Sequence, residues 1–408
     1  MSISGCYDQE TEVLTDLGWI KHSNVTEAHK VACFDLAKKT IQFESPEHVH
    51  SYDYTGSMHQ WEGSNLDIVV TPNHRMVVKP AFSRKKKKFD KRTGRPRTWV
   101  EDYQFCNSEE ITTSRWSIPM AGDFVDRELK EKICLDHGYD PILFWWYVGF
   151  WIAEGHVSFG GLSVCQAADN HHKPFGVMKE LGLAFSQAFN KPKVENEKLM
   201  WVARVYLKKH PELCKFVQQE CGEGCENKRL PALIWDSSKQ EMKSLLDGLM
   251  FGDGGINGNC RIYHTTSKQL ADDVQRLAVQ CGYWAHVSKY PRAKPHHKDK
   301  YAVIIREENF RTIEPQRNLT EIHYSGKVFC LTVSTGAYVT RRNGKMAISG
   351  NSMAWWAKTD CGLTVHRQEA EVEIAVWKCR FRWVGTQGET SLTYNPISGT
   401  YEENLDRF

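Results

Sequence analysis

The chain has 408 residues, 41% hydrophobic and 25% charged, with a formal net charge of +3; this describes globular protein of two or three domains. So mild a charge excludes a polycation that binds nucleic acid over its whole surface and confines any such contact to local basic patches. Thirteen cysteines, an odd number without framework spacing, predict free thiols in a reducing cytoplasm, and the most apolar stretch, Ile142 to Ala153, is too short to span a bilayer.

From Tyr7 to about Pro80 the pattern predicts short strands at Glu12 to Leu14, Val31 to Phe34, His48 to Tyr52, Asp67 to Thr71 and Met76 to Val78. A basic loop over 84–97 follows, and near Asp140 the pattern changes to longer helical segments alternating with strands. Near Asn318 strands return, with Val328 to Val333, Tyr338 to Thr340, a turn at Asn343-Gly344 and a last strand to Ser349. This order predicts a β domain interrupted by an insertion, which loop tips and adjacent termini tolerate. Residues 352–408 form a third unit, with strands at Glu371 to Phe381 and Thr390 to Tyr394, too small to bury much core.

Four blocks occur in sequence: Gly5-Cys6-Tyr7-Asp8, Thr71-Pro72-Asn73-His74, Val328 to Val333, and Gly350-Asn351-Ser352. In this order they resemble the conserved blocks of inteins. The resemblance implies a Hint-type splicing domain in which Cys6 attacks the Gly5 carbonyl in an N-to-S acyl shift, thiols being strong nucleophiles near neutral pH. His74 would protonate the departing nitrogen with a neutral-range imidazole, and Thr71 would orient the scissile bond. Ser352 would take the acyl group, Asn351 would cyclise to a succinimide, and no cofactor is implied. Three positions depart from the pattern. Gly350 and Ala337 stand where many inteins carry histidines, and Cys330 stands where the family often has aspartate, as a proton shuttle or simply a buried thiol.

Trp146 to Gly155 and Leu245 to Gly254 share an apolar helical run, small residues four apart, an acid and a glycine. Gly149 and Ala153, and Gly248 and Gly252, share one helix face, where two backbones would pack closely. Glu154 and Asp253 end their helices where the dipole disfavours negative charge, so a positive group is expected there. The pair resembles the two motifs of LAGLIDADG homing endonucleases. That implies an α/β pseudo-twofold domain cutting double-stranded DNA, with Glu154 and Asp253 holding Mg²⁺. Phosphate contacts are expected from Arg84, Lys85, Lys86, Lys87, Lys88, Arg95, Arg97, Lys228 and Arg229, with a second basic stretch at 289–300. Cys214, Cys221 and Cys225 lack the spacing and fourth ligand of a zinc site.

Joining Gly5 to Ser352 gives a segment that resembles the end of the RecA-like motor of hexameric replicative helicases; Val376 to Gly385 strengthens this, with Lys378 and Arg380 as candidate arginine-finger residues. No phosphate-binding loop occurs, so helicase activity is not expected from this chain alone.

The expected fold is therefore α+β and multidomain. A flanking stub spans 1–5, an all-β Hint horseshoe spans 6–139 and 312–351, and the endonuclease spans 140–311. A small α/β helicase fragment would span 352–408. The expected function is self-excision of 6–351 plus DNA cleavage, with the DNA target and host helicase subunits as partners and no membrane. The alternative is a splicing-defective scaffold that retains only the endonuclease.

Overall fold

The computed structural model describes residues 5–81, 102–112, 115–125, 138–158, 160–190, 198–291, 298–351 and, with interruptions, 361–403. It divides into two compact units, Met1–Ser352 and Met353–Phe408. The fold is mixed α+β with several sheets.

In the larger unit, β-branched and aromatic residues build the predicted strands at both ends of the segment. Two of them are far longer than their apolar cores. His48–Gly63 runs for 16 residues and pairs antiparallel with the 14-residue Leu319–Thr332. Val328 to Thr332 is buried throughout, whereas Leu319 to Lys327 has no buried residue. The Asn343-Gly344 turn has φ values of 49° and 76°, the two positive angles that a tight hairpin between Ala337–Arg342 and Lys345–Gly350 requires.

The inserted segment contains a repeat. The helix Pro141–Glu154 runs into a sheet ordered Gly155–Ser158, Gly161–Ala167, Met200–Tyr206, Phe185–Asn190. The helix Lys239–Asp253 runs into strands in the same order, Gly254–Asn257, Cys260–Thr265, Lys300–Arg306, Trp284–Tyr290. Caps fix both helix starts: Asp140 accepts from the Leu143 amide, and Ser238 with Glu241 forms a capping box. The helices cross on their small residues. A Cβ on Gly149 would lie 2.2 Å from the Leu245 carbonyl oxygen, and one on Gly248 2.1 Å from that of Trp146, so only glycine permits this approach.

The middle of the chain is not a separate bead. Strand Trp284–Tyr290 joins strand Lys345–Gly350 through the Val287 amide, which donates to the Gly344 carbonyl at 2.9 Å, completing an eleven-stranded sheet. Buried Arg341 ties the layers together, pairing with Glu12 at 2.7 Å and Asp272 at 2.6 Å.

The smaller unit is an antiparallel meander of Cys361–Gln368, Glu371–Cys379, Gly388–Asn395 and Thr400–Glu403. It shows no helix among the described residues, against the α/β expectation for this segment. Val372 is the one buried apolar side chain described there, while Leu363, Val365 and Ile397 are exposed.

Candidate functional site

Two sites emerge, one where residues 5–8 meet residues 349–351 and one between the crossed helices.

At the first, Tyr7 and Phe329 exchange both backbone hydrogen bonds (2.8 and 2.9 Å), which sets Cys6 directly opposite Cys330. Both are fully buried cysteines outside any disulfide, and their thiols are hydrogen-bonded to each other. That bond, followed by burial, holds the Cys6 thiol far above its ordinary range, so the resting group is a neutral thiol. The Cys6 amide donates to Thr71 Oγ1 at 2.9 Å, and the Thr71 hydroxyl donates to Asn73 Oδ1 at 2.9 Å. Gly5 packs on the His74 backbone, where a Cβ would lie 2.4 Å from the His74 Cα. The residue types at this junction are thus set by space as well as by chemistry.

His74 is fully buried, with Nε2 3.1 Å from Ser349 Oγ and its ring edge-on to Tyr7. Burial pushes its pKa down to about 3, opposed in part by the Gly5 carbonyl. The expectation of a neutral-range imidazole is therefore corrected: the resting ring is uncharged.

The far end meets the near one here. The Tyr7 hydroxyl donates to the Gly350 carbonyl at 2.9 Å across 343 positions of sequence. Asn351 is fully buried; its amide donates to Gly336 O at 2.8 Å and its Nδ2 to Val333 O at 3.3 Å. Arg75, which the sequence reading passed over, donates from Nη2 to Asn351 Oδ1 at 2.7 Å and from Nε to Asn351 O at 3.3 Å. Tyr7 and Ser349 were also missed. The signal in sequence was adjacency alone: Arg75 follows His74, Tyr7 follows Cys6, and Ser349 precedes Gly350. Ser352 lies outside the described residues.

At the second site, Glu154 and Asp253 line a cavity of about 470 Å³ together with Lys228, His264 and Lys300. Burial, then the nearby Asp253, pushes Glu154 up to about 7, and burial raises Asp253 as well. Lys228 was expected on phosphate. It is instead buried, and its ammonium donates to the Trp151, Ile152 and Gly155 carbonyls at the end of the first crossing helix. It is thus the positive group that the helix dipole called for. Burial lowers its pKa to about 8. Arg229 is turned elsewhere, donating to the Gln219 carbonyl.

Two carboxylates with hard oxygen donors at one cavity suit a divalent cation that keeps most of its waters. No group of three or more acidic, histidine or cysteine ligands occurs among the described residues. Cys214 and Cys221 are core residues and Cys225 is exposed. In the second basic stretch, Lys289 pairs with Asp299 and Lys298 with Glu226. Arg84, Lys85, Lys86, Lys87, Lys88, Arg95, Arg97 and Arg380 lie outside the described residues, as does the Lys378 side chain. No described helix is long and apolar enough to cross a membrane.

No family model matches the chain. It is 25% identical over 412 residues to an ATP-dependent Clp protease proteolytic subunit of Chlamydomonas moewusii, covering 90% of this chain and 37% of that one. It is 22% identical over 420 residues to a DNA-directed RNA polymerase subunit beta C-terminal section of Stigeoclonium helveticum, covering 85% and 36%. The chain thus spans a little over a third of these relatives' length. Among solved structures it is similar to an inactive variant of the AceL NrdHF class 3 split intein, with TM-score 0.31, 10% identity, and 85% of this chain and 99% of that one covered. It is also similar to the homing endonuclease I-DmoI with DNA and Mn, with TM-score 0.29, 14% identity, and 40% and 89% covered. A third similarity is to the N-terminal LAGLIDADG domain of DUF199/WhiA, with TM-score 0.29, 11% identity, and 44% and 87% covered. At such scores these likenesses carry no argument about function.

Proposed function

We propose that the chain is a protein-splicing precursor whose excised segment, Cys6 to Asn351, also cuts double-stranded DNA. One observation carries the splicing half: Cys6 and Asn351, some 345 positions apart, lie in one buried cluster whose two sides are bridged by the bond from Tyr7 to Gly350. Acyl transfer between junctions needs that convergence.

In the first step the Cys6 sulfur attacks the Gly5 carbonyl. The thiol proton passes toward His74 and on to the leaving nitrogen, which Thr71 Oγ1 holds. Ser352 then accepts the acyl group, and Asn351 releases the junction by cyclising. The two curated relatives support this reading in a particular way. Their names describe unrelated activities, so the stretch they share with this chain is not what gives either its name. A self-removing insertion explains such a distribution. The alternative, a scaffold that no longer splices, draws on Gly350 and Ala337 standing where many inteins carry histidines.

For the DNA half, Glu154 and Asp253 would hold the divalent metal, which when bound supplies charge neutralisation at the scissile phosphate and a more acidic water. Lys228 fixes the end of the helix that carries Glu154. The flanks are read as pieces of a replicative helicase from their sequence alone, and a reducing cytoplasm suits a free Cys6.

Incubating the full chain, with a reporter ahead of Met1, with a small thiol tests the first step. Release of the reporter from wild type, and none from Cys6→Ala, is expected. Equal release from both, or from neither, would remove the proposed thioester.

A further inference from the structure

The resemblance to inteins leaves cleavage after Asn351 without its usual histidines, and a Cβ on Gly350 would lie 2.1 Å from the Arg75 carbonyl oxygen, so no side chain fits there. We infer that His22 and Tyr338 are positioning residues for that cleavage, acting through the Tyr7 hydroxyl on the Gly350–Asn351 peptide; the inference rests on the splicing reading.

Proton counting fixes the direction of each bond. Tyr7, Tyr338, His22 and Ser349 are all fully buried. The one proton of the Tyr7 hydroxyl goes to the Gly350 carbonyl at 2.9 Å. Ser349 and Tyr338 are also hydrogen-bonded to the Tyr7 oxygen, so both must donate to it. With its proton so committed, the Tyr338 oxygen accepts, from the Leu331 amide and from His22 Nε2 at 2.9 Å. His22 is therefore the Nε2–H tautomer; its Nδ1, buried with no hydrogen-bond partner among the described residues, carries the lone pair. By the same count Ser349 accepts from His74 Nε2 at 3.1 Å. Two chains of donors, one from each histidine, thus converge on the Tyr7 oxygen and end at Gly350. Each bond that feeds a hydroxyl strengthens the bond it donates by about 10–30%.

Glycine has the widest backbone freedom of any residue, so the orientation of the Gly350–Asn351 plane comes from its bonds. Tyr7 holds its carbonyl, and its N–H donates to the Gly336 carbonyl at 2.8 Å. Asn351 Nδ2 donates to the Val333 carbonyl at 3.3 Å. Plane and side chain are fixed together, which sets the angle at which Nδ2 meets the Asn351 carbonyl carbon. In that step a new C–N bond closes the succinimide and the bond to the Ser352 nitrogen breaks. One proton leaves Nδ2 and one reaches the departing nitrogen, so no co-reactant is needed. His22 and Tyr338 act on this geometry through Tyr7 alone.

The test uses the full chain with reporters on both flanks and follows thiol release at Gly5 and cleavage after Asn351 separately. Tyr7→Phe keeps the ring that stands edge-on to His74 and removes only the oxygen. Cleavage after Asn351 is expected to fall about 100-fold, the scale of a small misplacement of reacting groups, with thiol release within threefold of wild type. Tyr338→Phe and His22→Leu each remove one feeding bond and are expected to slow the same step about fivefold, while His22→Gln, which keeps a donor near the Nε2 position, recovers most of that loss. In the Tyr7→Phe background neither Tyr338→Phe nor His22→Leu should slow the step further, because the path runs through that hydroxyl. Asparagine cleavage in Tyr7→Phe within threefold of wild type would overturn the inference. So would equal loss at both junctions, or additive losses in the double variants, which mark a packing role. A wild type that gives no thiol release, or never cleaves after Asn351, would overturn the splicing reading and the inference with it.

Discussion

Replacing Thr71 by valine keeps the shape of a side chain that is 1% exposed and removes its oxygen. Two bonds disappear, the one accepted from the Cys6 amide and the one donated to Asn73 Oδ1. In the resting state this leaves a buried N–H unpaired, which costs about 1–3 kcal/mol of stability. The kinetic effect is separate. As the Gly5–Cys6 bond breaks, the nitrogen becomes an amine that takes up a proton, and a bond to a charged donor is worth about 1–1.5 kcal/mol more than one to a neutral amide. Thr71→Val should therefore slow thiol-induced release of an N-terminal reporter roughly 5- to 12-fold. Thr71→Ser should recover most of that loss. Rates are read as pseudo-first-order release, and thermal melts of the same samples report folding. A folded Thr71→Val that releases its reporter within twofold of wild type would show that Thr71 braces the resting state only.

Three further outcomes are expected. Glu154→Gln and Asp253→Asn should each abolish Mg²⁺-dependent cleavage of a DNA carrying the rejoined flanks, read as linearised plasmid; metal-dependent cutting by either variant would remove the carboxylate pair from the chemistry. Gly248→Ala, whose new Cβ meets the Trp146 carbonyl at 2.1 Å, should lose about 1–3 kcal/mol in urea titrations, whereas Gly255→Ala, with open space around it, should not. His22, fully buried and pushed down to about 4 chiefly by desolvation, binds its proton more weakly folded than unfolded. Its contribution is therefore present above its ordinary value near 6.5 and is lost as pH falls toward 4. Glu154 and Asp273, both raised, act in the opposite sense over part of that range. The difference between wild type and His22→Gln isolates the histidine: the variant's acid limb should be flatter by up to about 1.4 kcal/mol per pH unit. Parallel limbs would count against a neutral buried His22.

The parts of this structure that were legible in sequence are those where chemistry or steric room leaves little choice of residue. Cys6 and Asn351 stand out in sequence because the proposed acyl shift and cyclisation would need a thiol and a side-chain amide, and the structure buries both. Gly149 and Gly248 mark the helix crossing because a Cβ at either meets a carbonyl. The Asn343-Gly344 turn was legible for its two positive φ angles. Strand length was not. His48–Gly63 and Leu319–Thr332 extend well beyond their apolar residues, since pairing with each other holds those halves while burial does not. Lys228 reads as a phosphate contact because nothing local to it reveals the three carbonyls, more than 70 positions away, that accept from its ammonium. Arg75 escaped for the same reason, its partner being 276 residues distant.

Self-excision itself is tested most directly by the intact mass of wild type beside Cys6→Ala and Asn351→Ala, expressed with a reporter ahead of Met1. Wild type is expected to give a ligated product of both flanks and a free Cys6-to-Asn351 fragment, with neither variant giving the ligated species. Three full-length masses, with no cleavage at Gly5 under thiol, would contradict it and leave DNA cleavage as the activity to be explained.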